Sequence, residues 1–131
     1  MELNYFKERD METLDLRVLG YENDEDANVN GTSYQSTITT TYDQLVEIFG
    51  KPTYTDADPY EKVNAEWIIE SKVVTKDDDD DDYFYKPFTI YNWKTGYIPT
   101  GEYEWHVGGH DYEAHEIASA IFENHINNSK G

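Results

Sequence analysis

Six consecutive aspartates, Asp77, Asp78, Asp79, Asp80, Asp81 and Asp82, interrupt a strand-forming stretch and restrict the fold more than any other feature of the chain. Adjacent carboxylates repel one another and cannot be desolvated together, so the run has to stand in water. The segments on either side are of another kind. "VNAEWIIES" puts Ala65, Trp67 and Ile69 on one side and Glu66, Ile68 and Glu70 on the other, the two-residue period of a half-buried strand. "KPFTIYNWK" is apolar on both faces, as expected of a strand in the middle of a sheet. The Asp run, with "KVVTK" ahead of it, is therefore expected as a solvated hairpin tip or a disordered insert between two strands.

A second segment fixes a helix. In "TYDQLVEIFGKP", Thr41 and Gln44 stand at capping-box spacing, and Tyr42, Leu45, Val46 and Phe49 form one apolar stripe. Gly50 can close the helix and Pro52 cannot continue it. Ahead of this helix, "GTSYQSTITTT" is Thr-rich, and Tyr34, Ser36 and Ile38 alternate as in a strand. Towards the C-terminus, Tyr103, Trp105 and Val107 alternate with Glu104 and His106 in another strand. Gly108-Gly109 is expected to turn the chain tightly into a helix with Ala114, Ile117, Ala118 and Ile121 on its buried stripe. Short strands joined by hairpins predict an α+β domain: an antiparallel sheet of four or five strands with two helices packed on one face. Residues 31–126 are expected to form this domain and residues 127–131 a frayed tail.

Residues 1–30 hold nine acids against three bases. They are expected to form a loosely attached acidic segment, loosest over residues 1–12, although Leu14, Leu16 and Val18 alternate as in a short strand. Together with the Asp run this segment carries two-thirds of the net charge of −18. Such a balance argues against binding nucleic acid or an anionic membrane through a basic patch. The N-terminus lacks the apolar core of an export signal, no apolar run is long enough to span a bilayer, and Cys is absent. The expected location is intracellular.

Chemistry-bearing patterns are few. "DANVNG" (Asp26, Asn28, Asn30, Gly31) matches the first half of a calcium loop, but position twelve is Thr37, so an Asx-type turn is the simpler expectation. His106, His110 and His115 are close in sequence, yet their spacing does not force three ligands together. No Gly-rich phosphate loop, GxSxG elbow or HExxH pair is present, and neither an enzymatic activity nor a cofactor is expected.

The ordered motifs "TTYDQLVEIFGKP", "KVNAEWIIE", "FTIYNWKTG" and "GEYEWHVGG" resemble a family of small proteins encoded by tailed phages and large DNA viruses. The resemblance covers about residues 32–125, with the first thirty residues and the Asp run as additions. It implies viral origin and an intracellular life in the infected host cell, in its cytoplasm or another compartment; no activity comes with it. Among the matching positions, Glu66, Glu104 and His106 are turned away from the helices by strand alternation. With Tyr91 and Trp93 they are expected to form an aromatic and acidic sheet face that binds a host or viral protein with a basic surface, unless the N-terminal segment covers that face. The alternative expectation is a binder of a small ligand such as a nucleotide signal. A further one is an acidic mimic of DNA, which would need carboxylates held rigidly at a spacing of about 1.7 Å per charge.

Overall fold

The computed structural model describes residues 16–130. Along the chain run β1 (Leu16–Asn23), β2 (Ser33–Thr40), α1 (Tyr42–Phe49), β3 (Tyr54–Thr55), β4 (Ala65–Thr75), β5 (Phe84–Tyr91), β6 (Tyr103–Gly109) and α2 (Glu113–Lys130). The sheet order is β1-β4-β5-β6-β2, with every pair antiparallel and the short β3 added to β4. Both helices pack on one face, so the α+β fold expected from the sequence is the fold observed. Among the described residues no helix is long and apolar enough to cross a membrane.

The Asp run is the tip of the β4–β5 hairpin. All six side chains are exposed, and Asp80–Asp82 forms one turn of 3-10 helix. Arg17 reaches the Asp80 carboxylate at 2.8 Å, an exposed pair that contributes under about 1 kcal/mol. Of "KVVTK" only Lys76 belongs to the connection: β4 continues to Thr75, with Val73 and Val74 fully buried. Burial of two β-branched side chains carries the strand up to the charged tip.

The sheet also takes in the short strand read around Leu16 and Val18. Part of the segment read as loosely attached is β1, which pairs with β4 from Leu16 opposite Thr75 to Asn23 opposite Ile69. Leu16 and Val18 pack on the core, and the Tyr21 ring meets Phe49 edge-on at 5.5 Å. Residues 1–12 lie outside the described residues. At the other end α2 runs on to Lys130, so most of the expected frayed tail is helical.

Helix α1 forms for the reasons read from its sequence, with one change. The Thr41 hydroxyl accepts the Gln44 N–H at 3.2 Å, while the Gln44 carboxamide takes the Thr40 hydroxyl at 2.6 Å as its partner. Gly50, at φ 84°, closes the helix and donates its N–H to Val46. The core beneath is aromatic. Trp67 and Trp105, both fully buried, meet at 5.4 Å and 80°, with Tyr42 on Trp67 and Phe49 on Phe88.

Gly108-Gly109 is not a turn. Both residues end β6. What they contribute is the absence of a Cβ, each on a different face of the sheet. A Cβ on Gly109 would lie 2.2 Å from that of Ala114, so glycine lets α2 seat against the strand. A Cβ on Gly108 would lie 2.6 Å from Thr89 Oγ1 and 3.3 Å from the Tyr91 ring, on the face the helices leave open.

Candidate functional site

The open face is organised by strand register. Glu66 of β4, Tyr91 of β5, His106 of β6 and Thr37 of β2 stand opposite one another in one row, which Tyr54 of β3 extends. The next row holds Ile68, Thr89, Gly108 and Tyr34. Cross-strand neighbours lie about 4.5–5.5 Å apart, so the rings in these rows must meet. His106 contacts Tyr34 at 5.3 Å and Tyr91 at 5.4 Å, and Tyr91 contacts Trp93 at 6.2 Å. Interplanar angles of 68°, 77° and 76° set these rings as walls of a box. They line a concavity of about 480 Å³. A second, of about 410 Å³, shares His106 and is lined by Thr39, Glu102, Tyr103 and Glu104.

Glu66, Tyr91, Glu104 and His106 thus come together as expected from alternation. Trp93 joins them by another route. Strand β5 ends at Tyr91, and Trp93 lies in the following loop, held there by Asn92. The fully buried Asn92 carboxamide accepts the N–H groups of Asn64 and Ala65 at 2.8 and 2.9 Å. Its Nδ2 donates to Asn64 Oδ1, Thr95 Oγ1 and the Tyr97 carbonyl. The Trp93 N–H donates to the Tyr103 hydroxyl at 3.0 Å. Lys62 and Lys94 bring their ammonium groups to 5.9 and 5.7 Å from the Trp93 ring.

Tyr34 was not foreseen. Simple alternation puts it with Ser36 and Ile38, which face α2 and the core. A β-bulge at Gln35 breaks that alternation: Tyr34 pairs with Gly108 and Ser36 with Val107. The extra residue re-aims Tyr34 onto the open face, a common use of bulges. The Gln35 carboxamide fixes the bulge by donating to the Gly109 carbonyl at 3.0 Å.

Burial sets the charge states of the face. It raises the Glu66 carboxyl above the ordinary glutamate value. It also raises the Tyr91 hydroxyl, helped by the nearby Glu66 and Tyr34. It lowers the His106 imidazole, against the opposing pull of Glu104, and so favours the neutral ring. Further along the face, Glu70 stands opposite Glu22, and one of its carboxylate oxygens is shielded without a hydrogen-bond partner among the described residues. Burial first, then Asp24 and Glu22, raise its carboxyl. A carboxyl whose folded value is raised binds its proton more tightly when folded, so it weakens the fold at neutral pH. That penalty is relieved as pH falls through the raised value. Glu70→Gln is therefore expected to stabilise the protein at pH 7. The advantage should shrink as pH falls through the raised value and vanish below the ordinary glutamate value, as read by urea unfolding of variant and parent across that range.

The remaining sequence candidates are dispersed. The Asp run and Glu66 lie at opposite ends of β4, roughly 30 Å apart for an extended strand. His110 donates a ring N–H to the Asn28 carbonyl at 3.0 Å, and His115 on α2 pairs with the Ser36 hydroxyl on the helix side of the sheet. Among the described residues no group of three or more His, Cys, Asp or Glu is disposed to hold a metal. In the half calcium loop, Asn28 Oδ1 accepts the Asn30 N–H at 3.1 Å and Asp24 Oδ1 accepts that of Asp26 at 2.9 Å, both Asx turns. Comparison with protein-family models, curated proteins and solved structures finds no match to this chain.

Proposed function

We propose that the open sheet face is a docking surface through which this chain, a virus-encoded accessory protein, binds a host or viral protein with a basic surface. The observation that carries the reading is the aromatic box of Tyr34, Tyr91, Trp93 and His106, flanked by Glu66 and Glu104 on the face opposite both helices. Aromatic side chains in partly enclosed positions dominate interface energetics, and acidic surroundings select a basic partner. The viral assignment rests on the four ordered sequence motifs. Affinity capture from host lysate with the parent and with Tyr91→Ala tests the reading. A stoichiometric partner kept by the parent and lost by a folded Tyr91→Ala supports it; a partner held equally by both sinks it.

The acidic tip has a subordinate part in this reading. A net charge of −18 steers a basic partner over a range set by the Debye length, about 8 Å at physiological salt. Replacing Asp77–Asp82 by Asn-Gly is expected to leave the fold intact, lower the on-rate several-fold at low salt and flatten its salt dependence. If this replacement abolishes binding at low salt, the tip is the site and the sheet face is not.

A second reading, a small-ligand site for a nucleotide-like molecule, draws on the same concavity and on the two lysines beside Trp93. Tryptophan fluorescence and calorimetry over a nucleotide panel test it, and silence at millimolar ligand removes it.

A further inference from the structure

The box has an unbalanced charge at one end. Glu66 stands directly opposite Tyr91, with its carboxyl half-buried beside the rings. Among the described residues it makes no ion pair, and the four ion pairs found lie elsewhere. A partly desolvated carboxylate without a counter-charge is costly, and such groups are ordinarily paired. Glu104, in the strand that carries His106, adds a second acid at the adjoining concavity. The cations nearby, Lys62 and Lys94, stand over the Trp93 ring and form no ion pair with Glu66. They also show that this ring attracts cationic groups.

Resting on the docking reading above, we infer that the box of Tyr34, Tyr91, Trp93 and His106 receives an arginine side chain of the partner, its guanidinium between the rings and its N–H groups on Glu66. Three features favour arginine. The rings stand nearly perpendicular to their neighbours, at 68–77°, so a planar cation can stack on one wall while its edge faces the next. A guanidinium is weakly hydrated, stacks on aromatic faces and pairs with a carboxylate through two parallel hydrogen bonds, whereas an ammonium offers only a point charge. A Cβ on Gly108 would lie 3.3 Å from the Tyr91 ring, so the glycine leaves that wall of the box its place and its face free to stack on a guanidinium. The cation that completes the site also neutralises Glu66, which nothing described within the chain does.

The test uses the full chain and three short peptides, acetyl-Gly-X-Gly-amide with X as arginine, citrulline or lysine. Citrulline has the same shape as arginine without its charge. Binding is read from the ring signals of His106 by NMR and from tryptophan fluorescence. The arginine peptide is expected to shift the His106 signals in the millimolar range, at least tenfold more tightly than the citrulline peptide. Glu66→Gln is expected to bring arginine binding down to the citrulline level. Equal binding of arginine and citrulline peptides, or no effect of Glu66→Gln, overturns the inference; tighter binding of the lysine peptide overturns the choice of arginine. If the peptides fail while Tyr91→Ala still loses the captured protein, the docking reading stands and this inference falls. If the peptides fail and capture is indifferent to Tyr91, both fall.

Discussion

Asn92→Ala is expected to cost about 3–4 kcal/mol of folding stability, from two buried N–H groups left unpaired at about 1–3 kcal/mol each. Those groups belong to Asn64 and Ala65, where the chain enters β4, and both donate to the Asn92 carboxamide oxygen. Asn64 in turn holds the preceding loop by donating to the carbonyls of Asp56 and Asp58. Urea unfolding should show a lower midpoint with an unchanged slope. Asn92→Asp separates the two halves of the carboxamide. It keeps the acceptor for both N–H groups but sets an anion against Asn64 Oδ1 and the Tyr97 carbonyl. That variant should also be destabilised at neutral pH and should recover part of the loss on acidification. Its carboxyl is burdened in the folded state, so its folded pKa lies above the unfolded value and protonation restores a donor. If Asn92→Ala unfolds at the parent's midpoint, the pair does not organise this end of the sheet. Because Trp93 follows Asn92 directly, the same variant should also loosen the wall of the box, seen as a red-shifted, more quenchable tryptophan emission.

Gly109→Ala is expected to be nearly as damaging, at about 2–3 kcal/mol. The added methyl would stand 2.2 Å from Ala114 Cβ, between a strand backbone and a helix backbone, where no flexible side chain can give way. The domain must separate α2 from β6, and a shift in the melting temperature of about 10 °C is the corresponding readout. Ala114→Gly in the same chain removes the opposing methyl. It should restore much of the loss despite glycine's own cost of about 1 kcal/mol near a helix start. A double-mutant cycle without coupling between the two positions would refute the contact as the cause. Gly108→Ala makes an informative comparison. Its Cβ would strike Thr89 Oγ1, whose side chain can rotate, and the ring of Tyr91, so its effect should fall more on the box than on the fold.

Most of the fold could be read from the chain because burial writes itself as periodicity. Helix α1 carried its start, its face and its stop in twelve residues. The alternation around Trp67 and Trp105 gave the faces of β4 and β6, and with them the outward turn of Glu66, Glu104 and His106. The apolar run around Phe88 and Ile90 placed β5 at the centre of the sheet, where it is. What could not be read depends on pairing. The bulge that turns Tyr34 exists because β2 runs one residue long against β6, a relation between distant segments. The end of β5 is set by Asn92 meeting Asn64, and an Asn between Tyr91 and Trp93 in an apolar stretch was the available sign of a break. Pro87 in the central strand is tolerated because β6 pairs β5 only from Phe88 onward, leaving no neighbour on that side to miss its N–H. The Gly pair misled for a related reason. Consecutive glycines usually mean a turn, but here each yields space to a neighbour that the local sequence does not reveal.

The distance along β4 between the aspartate tip and the aromatic box makes the hairpin a ruler. A small ligand seated among the rings, roughly 30 Å from the tip, lies several screening lengths beyond it and cannot sense its charge at physiological salt. A macromolecule can span the whole length. Combining a tip replacement with a box substitution therefore measures the size of whatever binds. Effects at both ends imply an object that reaches along the entire hairpin, and an effect at the box alone implies one that does not. The two ends of one hairpin would then report the footprint of an unknown partner before its identity is known.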